Sequence, residues 1–318
     1  MCFFRDTLIK SIDLTLPRGY NNIKYCAMER QRGIAMQGVG IVTDTNSGMT
    51  RAEARECGVI RMPMPFTVDG KNYVEDVNMS YSEFFERLEC GAQVATSQPS
   101  PEDVMNCWKG ALETFEKIIY IPMSSALSGS CQSAKLFAED FDGRVLVADN
   151  RRISISQKQS VYDALRWRDM GLSAEEILQR LMDTALDASI YLTVNDLSYL
   201  KRGGRITPSV AAIGTVLNIK PVLQIQGGKL DTYKKVRGLH AAQNAMLDAI
   251  RKDLENRFAG VPMLLRTAYT GDAAIGKAWN AQVQERFPEF EVTGDPLPIS
   301  IACHVGPGVL AMGLMRKV

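Results

Sequence analysis

From residue 39 onward the chain alternates short apolar runs with stretches whose apolar residues recur at helical spacing. Residues 39–43 predict a buried strand, followed by the polar turn Asp44-Thr45-Asn46-Ser47-Gly48. Residues 50–57 predict a short helix, and residues 60–68 one extended run that turns back at Asp69-Gly70. A helix is predicted over 80–89. Ser100 is placed to cap the next helix, with Pro101 in its first turn and Asp103 completing a capping box, and that helix is expected to reach Lys117. Strands over 118–121 and 145–148 bracket the serine-rich turn 124–130 and a helix that follows it. Repeated strand–helix–strand order with apolar strands predicts a mostly parallel sheet covered by helices.

The second half changes character. Ser173 and Glu176 form a capping-box pair ahead of a helix to residue 186. Strands are predicted over 189–194 and 263–268, and helices over 208–217 and 239–257. Residues 222–225 and 229–233, joined by Gln226-Gly227-Gly228, predict a β-hairpin. An antiparallel hairpin beside helices implies an α+β unit. The expected fold class is therefore α/β with two domains: residues 36–150 carry a mostly parallel sheet with flanking helices, and residues 151–318 form an α+β domain. Residues 1–35 lack this patterning, and Met36 stands directly before the first strand. They read as a weakly ordered N-terminal extension or the product of an upstream start codon, with a surface-docked helix as the alternative.

Composition narrows the function. With 46% hydrophobic and 23% charged residues over 318, the chain is that of a globular protein. A net charge of +1 offers no electrostatic footprint for nucleic acid. No apolar run approaches the ~20 residues that cross a bilayer, and the opening MCFFRDTLIK has no secretory h-region. Seven cysteines without a C-x-x-C, and two histidines, argue against a disulfide framework or a metal centre and for the reducing cytoplasm.

Hydroxyl-rich turns over 44–47, 96–100 and 124–130 each precede a helix. In an open parallel sheet such turns gather at the carboxyl ends of the strands, where helix N-termini and hydroxyls can hold an anion without a lysine. The competing reading is simple capping, which suits Ser100 best. Ser124, Ser125, Ser128 and Ser130 exceed what one cap needs. His304 is expected between an apolar strand and the Gly306-Pro307-Gly308 turn, either as a donor to an anion or as a hydrogen-bonded core histidine. Arg202 and Arg205 flank Gly203-Gly204, where guanidiniums could grip a phosphate or an acidic partner, or be merely solvated. Cys131 reads as structural and His240 as solvated. The dinucleotide fingerprint after the first strand, the Walker A sequence, the G-x-S-x-G elbow and H-E-x-x-H are all absent.

The segments IVTDTNSGMT, ATSQPSPEDV, SSALSGSCQSA, VADNRR, LSYLKRGGRIT, IKPVLQI, KVRG and HVGPGVLAMG occur in that order over residues 38–318. In this the chain resembles the DegV family of bacterial fatty-acid-binding proteins, which includes the binding subunits of fatty acid kinase. The resemblance implies two α/β domains with a long-chain fatty acid in a cleft between them. It implies carboxylate contacts at Thr96, Ser128 and His304, and docking of a kinase subunit at Arg202 and Arg205. It implies no cofactor or metal, no nucleic-acid partner, no transmembrane segment, and at most transient contact with a membrane surface. Thr45 stands where the family usually has serine, and Ser130-Cys131 where many members have Thr-Tyr. The function expected is to bind the fatty acid and present its carboxylate to a separate ATP-dependent kinase, without catalysis by this chain. Neutral donors at the head group would leave that carboxylate reactive, whereas an arginine clamp would neutralise it. The alternative is a serine acyl hydrolase using Ser128 with His304, for which no third group is evident.

Overall fold

A computed structural model describes residues 37–211 and 219–318. The expected extension over 1–35, and all but the first turn of the helix expected over 208–217, lie outside the described residues.

The described residues begin with β1 (Gln37–Asp44), which leads into a buried 3₁₀ turn. Next comes α1 (Arg51–Cys57), capped reciprocally by Thr50 and Glu53, and then β2 (Ile60–Met62). The extended run expected over 60–68 is two strands in two different sheets. It breaks at Pro63, which has no N–H to donate, while the Met64 N–H turns aside to Thr45 Oγ1 at 3.1 Å. The second piece, β3 (Pro65–Val68), forms a hairpin with β4 (Lys71–Val74). Its turn has Asp69 and Gly70 both at positive φ, 51° and 76°, as the Asp-Gly pair predicts. After α2 (Tyr81–Glu89), β5 (Val94–Thr96) pairs with β3.

Ser100 caps α3 (Pro101–Leu112), but Asp103 accepts from the Ser100 hydroxyl at 2.7 Å rather than from its backbone. The helix stops five residues short of Lys117, because β6 (Phe115–Ile121) starts early and pairs with β1 from Gln37↔Phe115 onward. α4 (Ser130–Ala138) and β7 (Val145–Val147) complete the first half.

β1, β2, β6 and β7 form a parallel sheet in the order β2-β1-β6-β7. Adjacent residues of its strands face opposite layers. Val42, Ile118 and Tyr120 pack with Trp108 of α3, and Ile41, Ile119 and Ile121 pack on the other side. This two-sided burial is why its strands read as continuous apolar runs. The second layer includes α5 (Ser154–Asp169) and α6 (Ala174–Asp183), which follow Asn150 in the chain yet cover this sheet.

The remaining elements are β8 (Ala188–Thr193), α7 (Ser198–Arg202), α8 (Pro208–Ala211), β9 (Ile219–Ile225), β10 (Leu230–Arg237) and α9 (Leu239–Glu255). They are followed by β11 (Met263–Tyr269), α10 (Ala273–Arg286), β12 (Thr293–Pro296), α11 (Ile299–Val305) and β13 (Leu310–Arg316). Their strands make a mixed sheet, β10-β9-β8-β13-β11-β12, antiparallel except for β11 with β12. Its outer face packs on α9 and α10 through Tyr191, Met246, Leu265 and Trp279. Its inner face, with Ile190, Leu192, Ala268 and Ala311, looks toward the first half.

The apolar strand expected before His304 is instead α11. Nearly every residue of this short helix is buried, so no polar stripe marks its period. It packs on the β3–β4–β5 hairpin sheet through Ile299, Ala302 and Cys303, against Phe66 and Phe84. A helix from the end of the chain is thereby locked to strands from its beginning.

Gly40 of β1 faces the Phe115 ring so closely that a Cβ there would lie 2.5 Å from Cδ2. Gly40→Val is expected to destabilise by about 1–3 kcal/mol through overpacking. Urea unfolding reads this as a lower midpoint, and Phe115→Leu in the same chain should restore part of it.

Candidate functional site

A buried carboxylate organises the loops at the site. Asp44, at the end of β1, is fully buried. Its Oδ1 accepts from the Asn46 N–H at 3.0 Å and from Gln157 Nε2 of α5 at 2.9 Å. Its Oδ2 accepts from the Met123 N–H at 3.1 Å, just before the serine-rich turn. Burial raises its pKa, and these hydrogen bonds oppose the rise.

Above this hub lies a cavity of about 300 Å³. Ile190, Leu192 and Ala311 of the mixed sheet, with Ile301 and Val305 of α11, supply an apolar wall. Thr96, Ser128, Arg205 and His304 line its polar end. The three expected carboxylate contacts are therefore brought to one cavity by three different elements. Thr96 is the last residue of β5, so its turn is carried by the hairpin sheet rather than by the parallel sheet.

Thr96 Oγ1 lies 2.8 Å from His304 Nε2. Burial, then the positive charge of Arg205, lowers the imidazole pKa to about 4, so the ring is neutral near pH 7. His304 Nδ1 is buried without a partner. Gly203 closes over it, since a Cβ at 203 would lie 2.1 Å from that nitrogen. Ser128 is 9% exposed. Its hydroxyl meets Ser130 Oγ at 2.9 Å and accepts from the Ser130 N–H at 3.2 Å. None of the four serines is the N-cap of α4; that position is Gly129, which makes no side-chain bond.

The two arginines separate. Arg202 is exposed, with its guanidinium 4.6 Å over the Tyr199 ring. Arg205 is half-buried at the cavity, where Nε donates to the Leu127 carbonyl at 3.3 Å and Nη1 to the Gly203 carbonyl at 2.6 Å. The expectation of a polar end made only of neutral donors is corrected by this guanidinium.

The Ser128–His304 dyad weighed for hydrolysis is not formed. His304 Nε2 is paired with Thr96, Ser128 is paired with Ser130, no group orients Nδ1, and an imidazole held near 4 is a weak base. Cys131 is fully buried, and burial pushes its thiol up to about 12. His240 is exposed and lies 3.2 Å from Asn244 Nδ2. Among the described residues no group of three or more His, Cys, Asp or Glu gathers as a metal site would require. No helix among them is long and apolar enough to cross a membrane.

Asn46, Ser97 and Gln98 also line the cavity from the turns that the sequence marked without singling these residues out, and Ser300 lines it without having been assigned a role. The spacing of Ser300 and His304, four apart on one helix, would have linked them had α11 been read as a helix.

Against known proteins, the family model described as an uncharacterised protein of the DegV family matches residues 38–317. The chain belongs to the DegV family. A DegV domain-containing protein of Deinococcus radiodurans is 30% identical over 278 residues, covering 87% of this chain and 98% of the relative. A Thermus thermophilus DegV family structure, named for its fatty acid binding, superposes with a TM-score of 0.81 at 31% identity, covering 88% of this chain and all of that one. A DegV lipid-binding protein of Thermotoga maritima superposes with a TM-score of 0.76 at 25% identity over 88% of this chain and all of that one. The two-part α/β architecture is thus that of DegV structures.

A second buried carboxylate holds the helix that carries His304. Glu75 Oε1 accepts from the Ile299 N–H at 2.8 Å, at the start of α11. Burial raises the Glu75 carboxyl to about 7, partly opposed by that bond and by Arg61. The folded state therefore holds a proton that the unfolded chain releases above about 4.5, so stability falls as pH rises from there toward 7. Glu75→Gln should remove this dependence and gain on the order of 3 kcal/mol over the wild type at pH 8, with no gain near pH 4. Urea unfolding across that range checks it, and parallel curves for the two proteins would refute it.

Proposed function

We propose that this DegV family member binds a long-chain fatty acid, with its carboxylate among Thr96, Ser128 and His304. The observation that carries the reading is one cavity, apolar along the mixed sheet and α11, closed at one end by these polar groups. A tail of roughly 15 methylenes gives about 12 kcal/mol gross, before the costs of association. Each hydrogen bond to a charged carboxylate adds about 1.5–3 kcal/mol. The tail thus provides most of the affinity, and the polar end fixes where the head group sits. With Nε2 protonated, neutral His304 donates to Thr96 Oγ1, which frees the Thr96 hydroxyl proton for the carboxylate. Fatty acid binding by the Thermus thermophilus relative supports the ligand class.

We further propose that the protein presents the carboxylate to an ATP-dependent kinase on another chain, in the cytoplasm. The lack of any nucleotide motif supports a non-catalytic role. Exposed Arg202, stacked on Tyr199, is a docking group for an acidic partner surface. Arg205 adds charge at the rim and ties the serine-rich turn to the Gly203 loop.

Native mass spectrometry of the purified protein should detect a bound fatty acid. Thr96→Val combined with Ser128→Ala should weaken its binding about 100-fold or more, as the loss of two such bonds implies. Absence of any lipid, with unchanged affinity in the double variant, would sink the proposal. Arg202→Glu should spare lipid affinity and abolish acyl-phosphate formation with the cognate kinase; full activity would reject the docking role.

A further inference from the structure

The cavity contains polar groups that a simple carboxylate leaves unused. Ser300 lies one turn before His304 on the same side of α11, and both line the cavity. Its hydroxyl donates to Asn46 Oδ1 at 2.7 Å. Asn46 is 1% exposed and lines the same cavity, and its Nδ2 is buried beside the Asp44 carboxyl with no hydrogen bond of normal geometry. Ser154 adds a third group. It lines the cavity and is 7% exposed. It is held at φ 52°, a conformation unfavourable for a residue with a Cβ. The residues on either side, Ile153 and Ile155, are apolar cavity residues, so the hydroxyl interrupts an otherwise greasy wall.

Buried polar atoms without partners are rare, and each calls for an explanation. A wall meant only for methylenes would be better served by alanine or valine at these positions. The Asn46 amide and the Ser300 hydroxyl instead form a hydrogen-bonded polar patch on the lining, and Ser154 lines the same cavity. One helical turn separates the two levels on α11, about 5.4 Å. An extended carbon chain advances roughly 1.3 Å per bond, as the backbone does, so the patch lies about four carbons from the carboxylate.

We infer that Asn46, Ser300 and Ser154 form a second polar station, which accepts an oxygen on the alkyl chain near the head group. The ligand class it selects is a fatty acid bearing a hydroxyl or keto group on about the third to fifth carbon. This rests on the fatty-acid reading above and specifies its ligand. A hydroxyl on the chain accepts from the Asn46 amide and donates to Ser154 or Ser300, whereas the same hydroxyl farther along meets only Ile190, Leu192 and Ala311 and is penalised.

The test is a competition series on the delipidated protein, displacing a fluorescent fatty acid with hexadecanoic acid and with its 3-, 5- and 12-hydroxy derivatives. The 3- or 5-hydroxy acid should bind about 3- to 10-fold more tightly than the plain acid, the factor one net hydrogen bond supplies, and the 12-hydroxy acid more weakly. Ser300→Ala should flatten this positional preference, read as the ratio of affinities within one protein. Equal penalties at every position in the wild type would overturn the inference and leave a station filled by water. Failure of every acid to displace the probe, hexadecanoic acid included, would overturn the fatty-acid reading itself and this inference with it. The wild-type series decides the matter even if the variant does not fold.

Discussion

A carboxyl group sealed from solvent, with no cation paired to it among the described residues, holds the loop ends of this protein in place. Asp44 would cost several kcal/mol to bury alone. It is tolerated because N–H donors from the turn after β1, from the segment after β6 and from α5 all converge on it. The dependence runs both ways: displacing any one of those segments would take a hydrogen-bond donor from the buried carboxyl. The turn that carries Asn46 and the turn that carries Ser128 are therefore fixed relative to each other before a ligand arrives. Thr43 reinforces the arrangement by donating to the Ile121 carbonyl at 2.8 Å.

The site exists at a seam, and no single sheet contains it. Thr96 comes from the hairpin sheet, Ser128 from a turn of the parallel sheet, and His304 from a helix that packs between the hairpin sheet and the mixed sheet. Burial sets the chemistry at that meeting point. A solvated histidine would be partly charged near neutrality, but this one is held neutral, so it can orient Thr96 without clamping an anion as an ion pair. Arg205 supplies the positive charge from the rim, where its hydrogen bonds to two carbonyls hold it. In the proposed complex, apolar wall and polar end divide the work of affinity and register.

Legibility followed locality. The Asp69-Gly70 turn and the Ser173–Glu176 capping box were plain in the sequence, because each is a bargain between residues a few positions apart. The α5 helix was not read, since Gln157, Lys158 and Ser160 are as buried as Val161 and Leu165. Gln157 Nε2, Lys158 Nζ and Ser160 Oγ bond to Asp44, Asp295 and Asn150, partners that lie far away in the chain or in neighbouring loops. The same blindness made α11 look like a strand and split the run after Ile60 only in three dimensions.

The strand–helix alternation of the first half, the absence of nucleotide-binding motifs, and the chain's DegV character were legible in the sequence alone, because each is written in contiguous residues. So was the presence of hydroxyl-rich turns that could face an anion. Only the tertiary structure decided that Thr96 meets His304, that Arg205 parts from Arg202 to reach the cavity, and that α5 and α6 cover the parallel sheet. It also decided that Asn46 and Ser300 stand together, with Ser300 one turn of α11 before His304. The physical reason is that desolvation and hydrogen bonding act through space. A residue's protonation and partner are set by what the fold packs around it, and neighbours in sequence do not carry that information.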